Sequence, residues 1–212
     1  MATSADDHTL EALAARVAQL EGRLAECEDR AAITEVLFRY ARAADRCDLE
    51  LFKSCYHPDA TDCHWFFNGN AHEFAEHVVE VLARADNSQH SITNPLITLD
   101  GTRAFVESQW YVLHHVSLND GRYLDQQIEG RYLDVFEKRD GEWKILHRQC
   151  ATEAWREFVT EDYSAGIPAD HPARGQRAPH DAVYRGFGLL DEEVVPFVLP
   201  DFWAPALSRH QG

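Results

Sequence analysis

Three short turn signals in the second half of the chain constrain its fold more than any other feature. Asp100-Gly101, Asn119-Asp120-Gly121 and Asp140-Gly141 separate four long segments, residues 89–99, 103–116, 122–138 and 143–155. Asp-Gly pairs supply the positive φ angles that tight hairpins need, so the segments between them read as β-strands of an antiparallel meander. Before residue 89 the apolar residues recur at helical spacing instead. Helices first and a meander afterwards predict an α+β domain. Strands this long must coil around something, and the earlier helices are what the chain offers. The expected architecture is a cone-shaped α+β barrel, a strongly curved antiparallel sheet closed by helices around an interior.

The helical half is organised around Asp29 to Asp45. Ile33, Val36, Leu37, Tyr40 and Ala44 form an apolar stripe on it that finishes in a phenol, Tyr40, and a carboxylate, Asp45. Such a helix end is either a capped core helix or one wall of a pocket. Ahead of it, Leu10, Leu13, Val17, Leu20, Leu24 and Cys27 make an a/d seam over residues 9–28. This is an oligomerisation arm or a helix packed on its own domain. A short helix from Leu49 to Cys55 leads to a turn at His57-Pro58-Asp59-Ala60, a short strand from Thr61 to Phe67, a turn at Asn68-Gly69-Asn70 and a helix from Ala71 to Arg84. Residues 160–212 hold six of the eight prolines, yet Val194, Val195, Phe197, Val198, Leu199, Phe202 and Trp203 are too apolar to float free. The expected organisation is an N-terminal helical arm (1–28), a cone domain (29–157) and a Pro-rich extension (158–212) that docks on the domain or on a neighbouring subunit.

Composition narrows the function. At 45% hydrophobic and 11% aromatic residues, 212 residues can bury a sizeable core. A formal net charge of −16 opposes binding to nucleic acid and to anionic membranes. A neutral or weakly anionic small molecule in a shielded pocket remains compatible. Five cysteines without a CxxC pair, and an N-terminus without signal-peptide features, point to reduced thiols in the cytoplasm. No apolar run is long enough to span a membrane.

Several chemistries lack their motifs: there is no dinucleotide fingerprint, Walker loop or nucleophile elbow. His72-Glu73-Phe74-Ala75-Glu76-His77 spaces its histidines five apart, one too many to share a helix face, so no metal site is expected. His57, Asp59, Asp62, Cys63 and His64 read as a polar loop and an exposed strand face. His90 opens the first long strand. Arg148 lies on the last one, sharing a face with Leu146, Cys150 and Thr152 by strand alternation. It wants an anionic partner, either a ligand or a structural carboxylate such as Glu129 or Glu107. Of the adjacent His114 and His115, one faces inward. Trp65, Phe67, Trp110, Tyr111 and Tyr132 could supply apolar walls. These residue types fit one scheme without a cofactor: a histidine base, a carboxylate that orients it, and a phenol or guanidinium that polarises the substrate.

The residues Asp29-Arg30-Ala31-Ala32-Ile33, Arg39-Tyr40-Ala41-Arg42-Ala43-Ala44-Asp45 and Tyr56-His57-Pro58-Asp59-Ala60 resemble the opening of SnoaL-like proteins of the nuclear transport factor 2-like superfamily. Ser88-Gln89-His90 and Gly141-Glu142-Trp143-Lys144-Ile145 fit as well, and the resemblance covers about residues 28–156. Within the superfamily it points to the lyases that work without a cofactor: scytalone dehydratase, hexachlorocyclohexane dehydrochlorinase and bile-acid 7α-dehydratase. It implies an Asp45–His90 dyad in the cone, with Tyr40 and Arg148 as catalytic partners and His115, or else His114, as a second pocket histidine. It also implies a homo-oligomer, with a trimer favoured. The resemblance thus suggests a dehydratase-type lyase acting on a steroid-like or aromatic molecule. The same groups would suit a retro-aldol C–C lyase or an isomerase. The superfamily also contains the structural β subunits of ring-hydroxylating dioxygenases, and ligand-binding modules.

Overall fold

The structure, a computed structural model, describes residues 4–162 and 174–191 together with the single positions 167 and 171. Helix α1 (Ser4–Arg46) runs unbroken through the expected arm and the central helix. At 1.5 Å per residue it is about 65 Å long. Its two halves differ in surroundings. Ile33, Val36, Leu37, Tyr40 and Ala44 are buried, whereas Leu10, Leu13, Val17, Leu20 and Leu24 are between 46% and 64% exposed. Packing begins at Asp29, whose carboxylate accepts from Lys138 Nζ and Trp143 Nε1, both at 2.7 Å. After α1, Cys47 takes a positive φ and reverses the chain into α2 (Leu49–Ser54), which Asp48 caps by accepting from the Leu51 N–H.

Strand β1 (Tyr56–His64) includes the residues expected to form a Pro-containing turn. It pairs parallel with β6 (Glu142–Thr160), but the ladder is interrupted between Tyr56 and Thr61. Pro58 sits in that gap, where no backbone donor is needed. The tight turn lies further on, at Trp65-Phe66, because His64 pairs with Phe67 at the start of β2 (Phe67–Asn70). Asn68-Gly69-Asn70 is therefore strand rather than turn. Asn70 instead caps α3 (Ala71–Leu82), accepting from the His72 N–H at 2.8 Å.

The meander has the expected order: β3 (Asn87–Asp100), β4 (Arg103–Ser117), β5 (Tyr123–Arg139) and then β6. Asp140 and Gly141 both have positive φ, the geometry of a tight twisted hairpin. The six strands lie in the order β2-β1-β6-β5-β4-β3 in one curved sheet that does not close on itself. Bulges curve it. Asn94-Pro95 on β3 lie opposite Ser108 alone, and Leu146 and Glu153 are extra residues on β6. Gly130 faces the Glu153 bulge, and a Cβ there would lie 2.0 Å from the Ala151 carbonyl oxygen.

The Leu146 bulge also resets alternation. Trp143 and Ile145 are buried before it, and Arg148 and Cys150 after it, so Leu146 does not share the Arg148 face. The core fills the concave side, where Phe52 and Phe74 from α2 and α3 meet the α1 stripe. Part of the C-terminal extension docks beside the end of α1. The Ala178 N–H donates to the Arg46 carbonyl at 2.7 Å, Arg46 pairs with Asp181 at 3.0 Å, and the Tyr184 hydroxyl donates to Asp48 at 2.7 Å. The apolar positions 194–203 lie outside the described residues.

Candidate active site

Asp45 is the second-last residue of α1, and its carboxylate reaches the first strand of the meander. The Nδ1 of His90 lies 2.7 Å from Asp45 Oδ1, and the His90 backbone N–H donates to both carboxylate oxygens at 2.8 and 3.0 Å. A carboxylate only accepts, so the ring hydrogen sits on Nδ1 and Nε2 keeps its lone pair. A carboxylate at a helix C-terminus faces the negative end of the helix dipole. The Arg177 guanidinium offsets this. It donates to the Asp45 backbone carbonyl and to the carbonyls of Leu82 and Ala85, at 3.2 and 3.1 Å, and so ties α1 to the end of α3.

His90 borders a cavity of about 190 Å³ in the concave side of the sheet. Of the expected wall residues Trp65, Trp110 and Tyr132 line it, and Tyr40 lines it from α1. Three other expected residues do not. Along β4, Trp110, Val112 and His114 point inward, so Tyr111 and His115 point out. His115 pairs with Asp125 and stacks on Tyr123, leaving His114 as the inward member of the pair. Phe67 packs against Phe74 and His77, and Phe66 lines the cavity in its place.

His114 is 5.8 Å from His90 between ring centroids, and Ser88 Oγ lies 3.1 Å from its Nδ1. Burial, with His90 beside it, pushes His114 down to about 4, so it is neutral at physiological pH. Burial pushes the Tyr40 phenol well above its ordinary range despite the nearby Arg148, so it keeps its proton.

Arg148 is placed differently from a substrate-polarising arginine. It has no solvent exposure and lies behind the aromatic wall, with its guanidinium 4.1 Å from the Tyr40 ring centroid and 3.8 Å from that of Tyr132. Its Nε and Nη2 donate to the two oxygens of Asp134 at 2.8 and 2.7 Å. Glu129 and Glu107 are taken by Arg156 and Arg131. The buried partner is Asp134 because β5 sets it directly opposite Arg148.

His64, read from the sequence as part of an exposed strand face, lines the cavity from β1. Its Nδ1 bonds to Asp62, which is fully buried and accepts from the Tyr56 hydroxyl at 2.6 Å. The alternation of Asp62 and His64 was visible in the sequence; what was not visible is that β1 lies beside the buried Arg148. Among the described residues no group of three or more His, Cys, Asp or Glu side chains could hold a metal ion.

Residues 25–149 match the SnoaL-like domain. Solved structures share the fold. A type 2 hexachlorocyclohexane dehydrochlorinase (LinA) is 17% identical, with a TM-score of 0.61 over 68% of this chain and 99% of its own. A protein from Novosphingobium aromaticivorans described as a scytalone dehydratase is 19% identical, with a TM-score of 0.56 over 65% and 95%. The β subunit of an aromatic-ring-hydroxylating dioxygenase ascribed to the same organism is also 19% identical, with a TM-score of 0.51 over 62% and 94%. The match over residues 25–149, more than half of the chain, places it in the SnoaL-like family.

Proposed function

We propose that the protein is a lyase that eliminates water from a compact hydrophobic molecule by acid–base chemistry alone. The observation that carries this reading is the Asp45–His90 hydrogen bond at the edge of an apolar cavity. His90 Nε2 removes an acidified C–H proton, and Asp45 holds the ring and stabilises the imidazolium. Tyr40, kept protonated by burial, donates to the substrate carbonyl. Arg148 acts only through the two tyrosines it supports. A cavity of about 190 Å³ favours an aromatic substrate of one or two rings over a steroid, since pockets for drug-sized ligands are about 300–1,000 Å³. A purely structural subunit has no use for such a cavity or for a His–Asp pair at its edge. Five free thiols fit a cytoplasmic location. The exposed seam of α1 fits a homo-oligomer, and the family resemblance favours a trimer.

The test is turnover of a β-hydroxy-β-phenyl ketone. The expected product is the conjugated enone, and His90→Ala is expected to slow its formation by about 10²–10⁴-fold. Release of benzaldehyde instead would show retro-aldol cleavage by the same base. Full turnover by His90→Ala would remove His90 from the role of base.

A further inference from the structure

The cavity holds a second His–Asp pair, His64–Asp62, with different electrostatic surroundings from Asp45–His90. Asp62, Asp134 and Arg148 all have no solvent exposure. They sit at adjacent positions on β1, β5 and β6, with Arg148 paired in register with both carboxylate residues. Asp134 receives two guanidinium hydrogen bonds, one on each oxygen, the bidentate geometry that pairs an arginine with one carboxylate. That leaves Asp62 without a cation of its own. An uncompensated carboxylate in a dry interior is costly, and the Tyr56 hydroxyl donates a hydrogen bond but no charge.

The hydrogen that balances the cluster belongs to the Asp62–His64 pair. If it sits on the imidazole, both ring nitrogens carry hydrogens. If it sits on Asp62, that carboxyl donates to Nδ1 and the ring hydrogen is on Nε2. In both placements the Nε2 of His64 carries a hydrogen, and His64 lines the cavity. Phe74 stacks on the His64 ring at 4.4 Å between centroids and holds its direction.

At His90 the balance runs the other way. The Asp45 carboxylate accepts two kinds of N–H, and the Arg177 guanidinium on its own backbone carbonyl offsets the charge. Nothing there calls for a second ring hydrogen, so His90 Nε2 offers a lone pair. The sheet curls β1 and β3 toward each other across the cavity, with β6, β5 and β4 between them. A hydrogen-bond donor on one wall therefore faces a base on the other.

We propose that His64 is the general acid of this site and Asp62 its positioning residue. The proposal rests on the lyase reading above. In the step, His90 Nε2 takes the proton of the C–H bond, whose electron pair becomes the new C=C bond. The C–O bond breaks with its pair going to oxygen, and that oxygen takes the Nε2 hydrogen of His64 and leaves as water. His90 then gives its proton to solvent and the Asp62–His64 pair recovers one, so no other reactant is needed.

The experiment has two arms. In the first, NMR of isotope-labelled imidazole nitrogens in the full chain near neutral pH, with His64→Gln and His90→Gln to assign the signals, is expected to show hydrogen on Nε2 of His64 and none on Nε2 of His90. A bare Nε2 at His64 would overturn the proposal. In the second, the β-hydroxy-β-phenyl ketone is compared with its β-(para-nitrophenoxy) counterpart, whose leaving group needs no acid. His64→Gln is expected to lose about 10²-fold or more on the first and no more than a few-fold on the second, while His90→Ala loses both. Equal losses on the two ketones by His64→Gln would overturn the acid role. If the wild-type protein turned over neither ketone, the lyase reading would fail, and the acid role with it; the NMR arm would still decide the hydrogen placement.

Discussion

Arg148 gives Nε and Nη2 to the two oxygens of Asp134, and neither side chain has any exposure to solvent. Two tyrosine rings, Tyr40 and Tyr132, close over the guanidinium. The pair is thus a structural floor beneath the aromatic wall of the cavity. Removing one partner strands the other as a buried charge, so Asp134→Ala is expected to cost about 3–5 kcal/mol in urea unfolding. The joint change Arg148→Met, Asp134→Leu should cost less than Asp134→Ala alone. A double variant as unstable as the sum of the single ones would show that the two residues do not act as a pair.

His114 sets an acid limit on stability. Its folded value of about 4 lies below the ordinary 6.5 of a free histidine. The unfolded chain therefore binds more protons there than the folded one between those values, and stability rises with pH in that window. The contribution is fully present above about pH 6.5 and is lost as pH falls toward 4. It is worth on the order of 3 kcal/mol. Urea unfolding of the wild type and of His114→Gln, followed from neutral pH downward, should show a shallower acid slope in the variant. Parallel slopes would mean that His114 is not held neutral by the fold.

The first half of α1 presents Leu13, Val17 and Leu20 to solvent at heptad spacing. A lone helix with such a seam is marginal in water, and a second copy would cover the seam by knobs-into-holes packing. Leu13→Glu with Leu20→Glu is expected to lower the mass seen in sedimentation equilibrium and to leave the unfolding midpoint of the cone domain nearly unchanged. An unaltered mass would rule out the arm as the assembly element.

The contrast between sequence and structure follows from the range of the forces involved. Helix periodicity from Ile33 to Ala44, and Asp-Gly pairs such as Asp140-Gly141, act over a few residues, and both can be read along the chain. They determined an α+β fold with a curved meander. The Asp45–His90 contact came from family resemblance, because no periodicity links positions 45 residues apart. Strict alternation misplaced Leu146, because the bulge there shifts the phase of β6. His64 could not be recognised from its own segment, because its setting is made by Arg148 and Asp134 on β6 and β5.

The sequence by itself determined the helices and the turns of the β3–β6 meander, since backbone preference and hydrophobic period are local, but not the β1–β2 turn, which falls at Trp65-Phe66 rather than at Asn68-Gly69-Asn70. Only the tertiary structure decided which of His114 and His115 faces the cavity, that Arg148 is held by Asp134, and that His64 faces the same cavity as His90. Those outcomes depend on sheet curvature and on the balance of buried charge, and both arise only when distant strands are brought together.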